Sequence, residues 1–118
     1  MDFQLGMAKQ YIQYKPDIAM FGDDLGIQDR LLLSPAIIEE FLLPQYRRLF
    51  GFYQQHNVPI YFHSCGHILP LLEMFIELGV NILNPVQATA NDLSEVIQVT
   101  KGRLALHGAI SSGLGKET

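Results

Sequence analysis

Four short apolar runs constrain this chain most. Each ends in polar or turn-forming residues, and helix-like stretches separate them. The runs fall at residues 17–22, 58–62, 80–83 and 104–107. Strands that alternate with helices imply a parallel sheet, because a parallel neighbour is reached through a right-handed crossover. Helix signals fill the gaps. Ser34 and Pro35 suit an N-cap and a first helical position. Ile37, Ile38, Phe41, Leu42, Leu49, Phe50 and Tyr53 then follow at helical spacing. Pro44 lies inside that pattern, so this helix is expected to kink or divide. A second helix is expected over about 68–78, with Leu71, Leu72, Phe75, Ile76 and Leu78 on its apolar face and Gly79 as its C′ residue. A third starts at Asn91 or Asp92 and runs to about Thr100. Residues 3–13 read as an incoming helix and residues 113–118 as a frayed polar tail. The fold class is α/β: about four parallel strands with intervening helices, one domain over residues 1–118. Because the runs are apolar throughout, both faces of the sheet are expected to be covered.

Bulk properties narrow the function classes. The chain is 48% hydrophobic, enough for a core. Its net charge is 8 − 12 = −4, with no basic stripe, which sets nucleic acid aside as a partner. No uninterrupted apolar run approaches the roughly 18 residues of a membrane span, and the N-terminus lacks the order of a signal peptide, so no membrane partner is expected. A single cysteine cannot form an internal disulfide and suits a reducing cytoplasm.

Chemistry concentrates at the strand ends. The first run exits at Asp23 and Asp24, the second at His63, Ser64 and Cys65, the third at Asn84, Pro85 and Gln87, and the fourth at His107 and Gly108. The carboxyl ends of parallel strands are where α/β folds place active sites. Residues i and i+2 of a strand share a side, so His63 and Cys65 would project together as half of a zinc site or as a polarised thiol. The ordinary alternative is a small buried cysteine beside a histidine bonded to backbone. Of the two aspartates only one should face the strand mouth. Asp24 is the candidate for a catalytic or metal-supporting role, or else a turn cap. Gln28, Asn84, Gln87 and His107 are candidates for lining the mouth and binding substrate, although Asn84-Pro85 is equally good turn chemistry and His107 equally an ordinary strand-end histidine. Asp24, His67 or His107 could add to a ligand set. His56, at a helix end, has no expected catalytic part. Tyr46, Arg47 and Arg48 read as a solvated helix face.

Taken together, Gly22-Asp23-Asp24-Leu25-Gly26-Ile27-Gln28, Ser34-Pro35, Phe62-His63-Ser64-Cys65-Gly66, Gly79-Val80-Asn81-Ile82-Leu83-Asn84-Pro85-Val86-Gln87 and His107-Gly108-Ala109-Ile110 resemble the uroporphyrinogen decarboxylase superfamily. The similarity is closest to its cobamide-dependent methyltransferase branch. It implies a partial (β/α)8 TIM barrel. A complete barrel takes about 250 residues, so four strands supply about half, and self-association or pairing with the missing half-barrel is expected. In that branch a His-x-Cys pair and a later cysteine hold zinc, which activates a substrate thiol toward a methylated corrinoid. The resemblance therefore implies zinc as cofactor, held weakly or not at all by this chain alone, with His63 and Cys65 as ligands. It also implies a small-molecule thiol as substrate and a corrinoid protein as partner. There is no second cysteine to match the third ligand. The superfamily's other reaction is decarboxylation of uroporphyrinogen III in haem and tetrapyrrole biosynthesis. That reaction needs no metal but needs arginines around an acidic tetrapyrrole. A non-catalytic binding or assembly module is the third expectation.

Overall fold

The computed structural model describes residues 2–26, 30–31, 33–87 and 89–108. Gln28 and the 113–118 tail lie outside the described residues. Helix α1 (Asp2–Tyr11) runs into a 3-10 turn and leads to strand β1 (Ala19–Gly22). Ser34 then opens helix α2 (Pro35–Ile37), its side chain accepting the Ile37 amide hydrogen, as an N-cap with proline at the first helical position should. The helix continues as α3 (Leu43–Gln55). Strand β2 (Ile60–Ser64), helix α4 (Leu72–Glu77), strand β3 (Ile82–Pro85), helix α5 (Leu93–Thr100) and strand β4 (Ala105–Leu106) complete the order. Asp92, rather than Asn91, caps α5 by accepting from the amides of Ser94 and Glu95.

The helix divides just ahead of Pro44, as expected, through a change of helical pitch rather than a break. Between α2 and α3 the chain forms a π-helical stretch, Ile38–Leu42, which closes with the Leu43 amide bonded to the Ile38 carbonyl. Proline has no amide hydrogen and its ring crowds the carbonyl four residues back. A wider turn just before it gives that carbonyl room. The extra residue also rotates the apolar stripe. Ile38, Leu49, Phe50 and Tyr53 are buried, whereas Ile37 and Phe41 of the expected stripe face solvent. The second expected helix begins as a 3-10 turn at Leu69–Leu71, with Pro70 in it, before becoming α4.

The four strands form one parallel sheet in the order β1-β2-β3-β4. Same-handed crossovers between neighbours in sequence order stack all the helices on one face. There the core is aromatic: Phe62 of β2 is fully buried, with its ring centroid 4.9 Å from Phe75, 5.5 Å from Tyr46 and 6.0 Å from Phe50. Ile60, Leu83, Leu72 and Val96 fill the same layer.

The opposite face corrects the expectation of a sheet covered on both sides. Strand register aligns Met20, Tyr61, Ile82 and Ala105 in one row and Gly22, His63 and Asn84 in the next. Met20 is 68% exposed. In a closed barrel such residues are covered by strands across the lumen, and four strands in a line have none. The solvated reading of Tyr46 is also corrected. Its ring is buried and stacks on Phe50 at 5.4 Å, because residue 46 falls on the inner side of α3. Arg47 is exposed and pairs with Glu77, and Arg48 is exposed.

Candidate metal centre

The site grows out of the carboxyl ends of β1 and β2. Paired strands put Gly22 beside His63, and the Asp23 amide donates to the His63 carbonyl at 3.1 Å. The chain then diverges at consecutive aspartates. Asp23 turns to the helical side, where its carboxylate accepts the Tyr46 hydroxyl at 2.5 Å. Burial, and then this carboxylate, push the Tyr46 hydroxyl pKa above its usual range. Asp24 turns to the rim, and its Oδ1 accepts the Cys65 amide hydrogen at 3.0 Å. The loop carrying Asp24 is held by Ser64, whose buried Oγ accepts the Leu25 amide at 3.0 Å. Gly26 lets it lie flat on the next loop, since a Cβ there would sit 2.4 Å from the His67 carbonyl oxygen.

His63 and Cys65 do share a side. Cys65 Sγ lies 3.3 Å from His63 Nε2, and Asp24 Oδ1 lies 3.9 Å from the same nitrogen. The three donor atoms are all within 4.8 Å of one another. A tetrahedral zinc with bonds of about 2.0–2.3 Å sets its donors about 3.3–3.8 Å apart. One imidazole nitrogen, one sulfur and one carboxylate oxygen are donor types that suit zinc, and drawn together from separations of up to 4.8 Å they would leave a fourth position for a substrate atom. The exposure of His63 and Asp24 keeps that side accessible. Without a cation the sulfur stays protonated over a wide range: burial raises the Cys65 thiol pKa, and the Asp24 carboxylate raises it further. That disfavours a thiol made nucleophilic by its protein neighbours alone, and a bound cation would reverse the balance.

The other candidates are placed differently. His67 bonds the Ala90 carbonyl through Nδ1 at 2.7 Å, and His107 Nδ1 meets the Tyr61 hydroxyl at 2.7 Å, so neither joins the three donors. Gln87 Oε1 accepts the Gly66 amide at 2.8 Å. Asn84 bonds His63 Nδ1 at 2.8 Å and donates to the His107 carbonyl at 2.6 Å. Gly108 packs on β3, where a Cβ would come within 2.5 Å of the Pro85 carbonyl oxygen, so the absence of a side chain there serves backbone packing. His56 bonds the Phe52 carbonyl within its own helix end.

Asn91 was legible only as a helix-cap alternative, yet it ties the site's second loop together. Its buried side chain accepts from the amides of Ile68 and Leu69 and donates to the carbonyls of Gly66 and Gln87. Asn91→Ala would orphan these groups where water cannot replace the lost bonds. The expected cost is about 2–3 kcal/mol, read as a lower urea midpoint at unchanged slope, and an unchanged midpoint would show the loop to be held by other contacts.

Fold and site together define an open stretch of parallel β/α barrel that carries a nitrogen, sulfur and oxygen donor set at its strand ends. The chain belongs to the uroporphyrinogen decarboxylase (URO-D) family, whose model matches residues 1–114. Among solved structures it is similar to a methyltransferase from Methanosarcina mazei, with a TM-score of 0.67 and 21% identity over 87% of this chain. That likeness carries the fold, and the chain spans 29% of the length of that protein. Comparison with curated proteins gives no match.

Proposed function

We propose that this chain forms part of a zinc-dependent methyltransferase that moves a methyl group from a methylated corrinoid to a small-molecule thiol. The observation that carries the reading is the convergence of His63 Nε2, Cys65 Sγ and Asp24 Oδ1 on one open corner of the rim. Zinc, when bound, supplies the Lewis acidity that keeps a substrate thiol in its nucleophilic, deprotonated form at neutral pH. The protein's part is to hold the donors, admit the thiol from the uncovered side and receive the corrinoid, carried by a partner protein, against the same rim. In that arrangement the thiolate sulfur would form its bond to the methyl carbon as the corrinoid's cobalt–carbon bond opens. The electron pair of the cobalt–carbon bond would remain with the departing corrinoid, which would be released one methyl cation lighter.

Uroporphyrinogen decarboxylation is the weaker alternative. Arg47 pairs with Glu77, and Arg103 pairs with Glu73 at 2.8 Å. Arg47 and Arg48 lie on α3 and Arg103 precedes β4, away from the strand-end rim where an acidic tetrapyrrole would need cations, which leaves Arg30, in the loop after β1 and lining a groove with His67, as the single arginine on that side among the described residues. Because this chain alone is expected to be inactive, the choice is tested on the assembled barrel that contains it, loaded with zinc and incubated with methylcobalamin and 2-mercaptoethanol. Zinc-dependent loss of methylcobalamin absorbance above the rate with thiol alone, lost in Cys65→Ser, supports methyl transfer. A rate indifferent to zinc overturns it.

The reading extends to assembly and location. No helix among the described residues is long and apolar enough to cross a membrane. We place the protein in the reducing cytoplasm, where Cys65 persists as a thiol. The exposed β1 edge and the apolar row of the uncovered sheet face would close against a second copy or further barrel strands. A groove of about 610 Å³ lined by Tyr11, Tyr14, Met20, Phe21 and Tyr53 runs beside that edge. Size-exclusion chromatography is expected to give a species larger than 13.3 kDa. A sharp-melting monomer would count against closure by a partner.

A further inference from the structure

We propose that Asn84 is a positioning residue that locks His63 in the tautomer protonated at Nδ1, leaving Nε2 bare toward Cys65 and Asp24. The inference rests on the zinc reading for its purpose, but not for its geometry. Asn84 of β3 is the register partner of His63 on β2, so the two side chains leave the sheet side by side on the uncovered face. One end of the Asn84 amide lies 2.6 Å from the backbone carbonyl of His107. A carbonyl oxygen only accepts, so the amide nitrogen must face it. The amide oxygen is thereby turned toward the ring and lies 2.8 Å from His63 Nδ1. An amide oxygen also only accepts, so Nδ1 must carry the hydrogen. In a neutral imidazole that leaves Nε2 as the lone-pair nitrogen, which is the one 3.3 Å from the thiol sulfur.

Free neutral histidine prefers its hydrogen on Nε2. The Asn84 bond opposes that preference, at the nitrogen that would otherwise be blocked as a donor to a metal. The His107 carbonyl fixes the amide, the amide fixes the ring, and the ring presents a ready ligand. Partners that orient a ligating histidine in this way are typically worth 10–100-fold in metal affinity.

The experiment is long-range proton–nitrogen NMR on metal-free protein labelled with 15N-histidine, with the His63 signals assigned by their loss in His63→Gln. The wild type is expected to show Nδ1 protonated and Nε2 bare. Asn84→Leu, which removes the acceptor, should move His63 toward the Nε2-protonated form and weaken zinc binding about 10–100-fold. Asn84→Gln keeps both an amide oxygen for Nδ1 and an amide N–H for the His107 carbonyl, so it should retain the wild-type tautomer in part, a rescue that a purely packing role would not produce. A wild-type His63 protonated at Nε2, or a Nδ1 tautomer that survives in Asn84→Leu, overturns the proposal. Locked tautomers in a protein that binds no zinc would leave the Asn84 assignment standing and remove the zinc reading. Zinc binding abolished by Cys65→Ser with no tautomer change in Asn84→Leu would do the reverse.

Discussion

Cys65→Ser is expected to abolish zinc binding. Protein purified without chelator, or reloaded and dialysed, should carry up to one zinc per donor set. The serine variant should carry none by elemental analysis, with affinity reduced by more than the 10–100-fold typical of groups that merely support a ligand. The reason lies in the donor set. Sulfur supplies the soft anionic ligand beside one imidazole nitrogen and one carboxylate oxygen, and a serine hydroxyl, which does not ionise near neutral pH, cannot replace it. His63→Ala should be as damaging. Asp24→Asn should retain part of the affinity, because an amide oxygen still ligates but without charge. His67→Ala is the informative control. Its Nδ1 is committed to the Ala90 carbonyl, so zinc content should not change. Equimolar zinc surviving in Cys65→Ser would mean that the metal sits elsewhere and that the convergence of residues 24, 63 and 65 is incidental.

The sequence shows the elements of this fold more clearly than their coverage. Apolar runs, the Ser34-Pro35 start and the Asp92 cap are local signals, each written within a few residues, and the alternation of strand and helix leads from them to a parallel sheet with little ambiguity. Met20 shows the limit. Its run reads as buried on both faces, yet no described strand or helix covers Met20, and no local pattern records that. Phe41 shows another. A π turn ahead of Pro44 shifts the helical phase, and helical spacing cannot register one residue of slip. At the site, the His63/Cys65 pairing follows from the two-residue period of a strand, and Asp24 from the divergence of consecutive residues after it. That Asp24 reaches the same corner depends on Ser64 Oγ and the glycine contact at 26, which are tertiary facts. Asn84 is the plainest case. A turn asparagine and a residue that orients a ring look identical in sequence, and only the register of β2 against β3 separates them.

Phe62→Ala should cost the fold about 3–5 kcal/mol, while Phe41→Ala should stay within about 0.5 kcal/mol of the wild type. The two residues share a side chain and differ in where the backbone points it. Phe62 sits in the central part of the sheet, fully buried, with aromatic neighbours from both α3 and α4. Removing its ring leaves a cavity that a parallel strand hydrogen-bonded on both sides cannot collapse to fill. Against the 5–15 kcal/mol that holds a typical domain folded, the loss is a large fraction of the whole, so the urea transition should move far toward zero denaturant or vanish. Phe41 is 62% exposed on the π-helical stretch, and its truncation removes little that was sheltered from water. Equal effects at the two positions would show that the apolar stripe of this helix does not rotate at residues 38–42. Phe62 also immediately precedes His63, so its loss should release the strand end as well as the core. Zinc affinity should therefore fall in Phe62→Ala under conditions where the variant is still mostly folded, and it should be unchanged in Phe41→Ala. Such coupling would show that the donor set draws its geometry from the aromatic layer beneath it rather than from the loops alone.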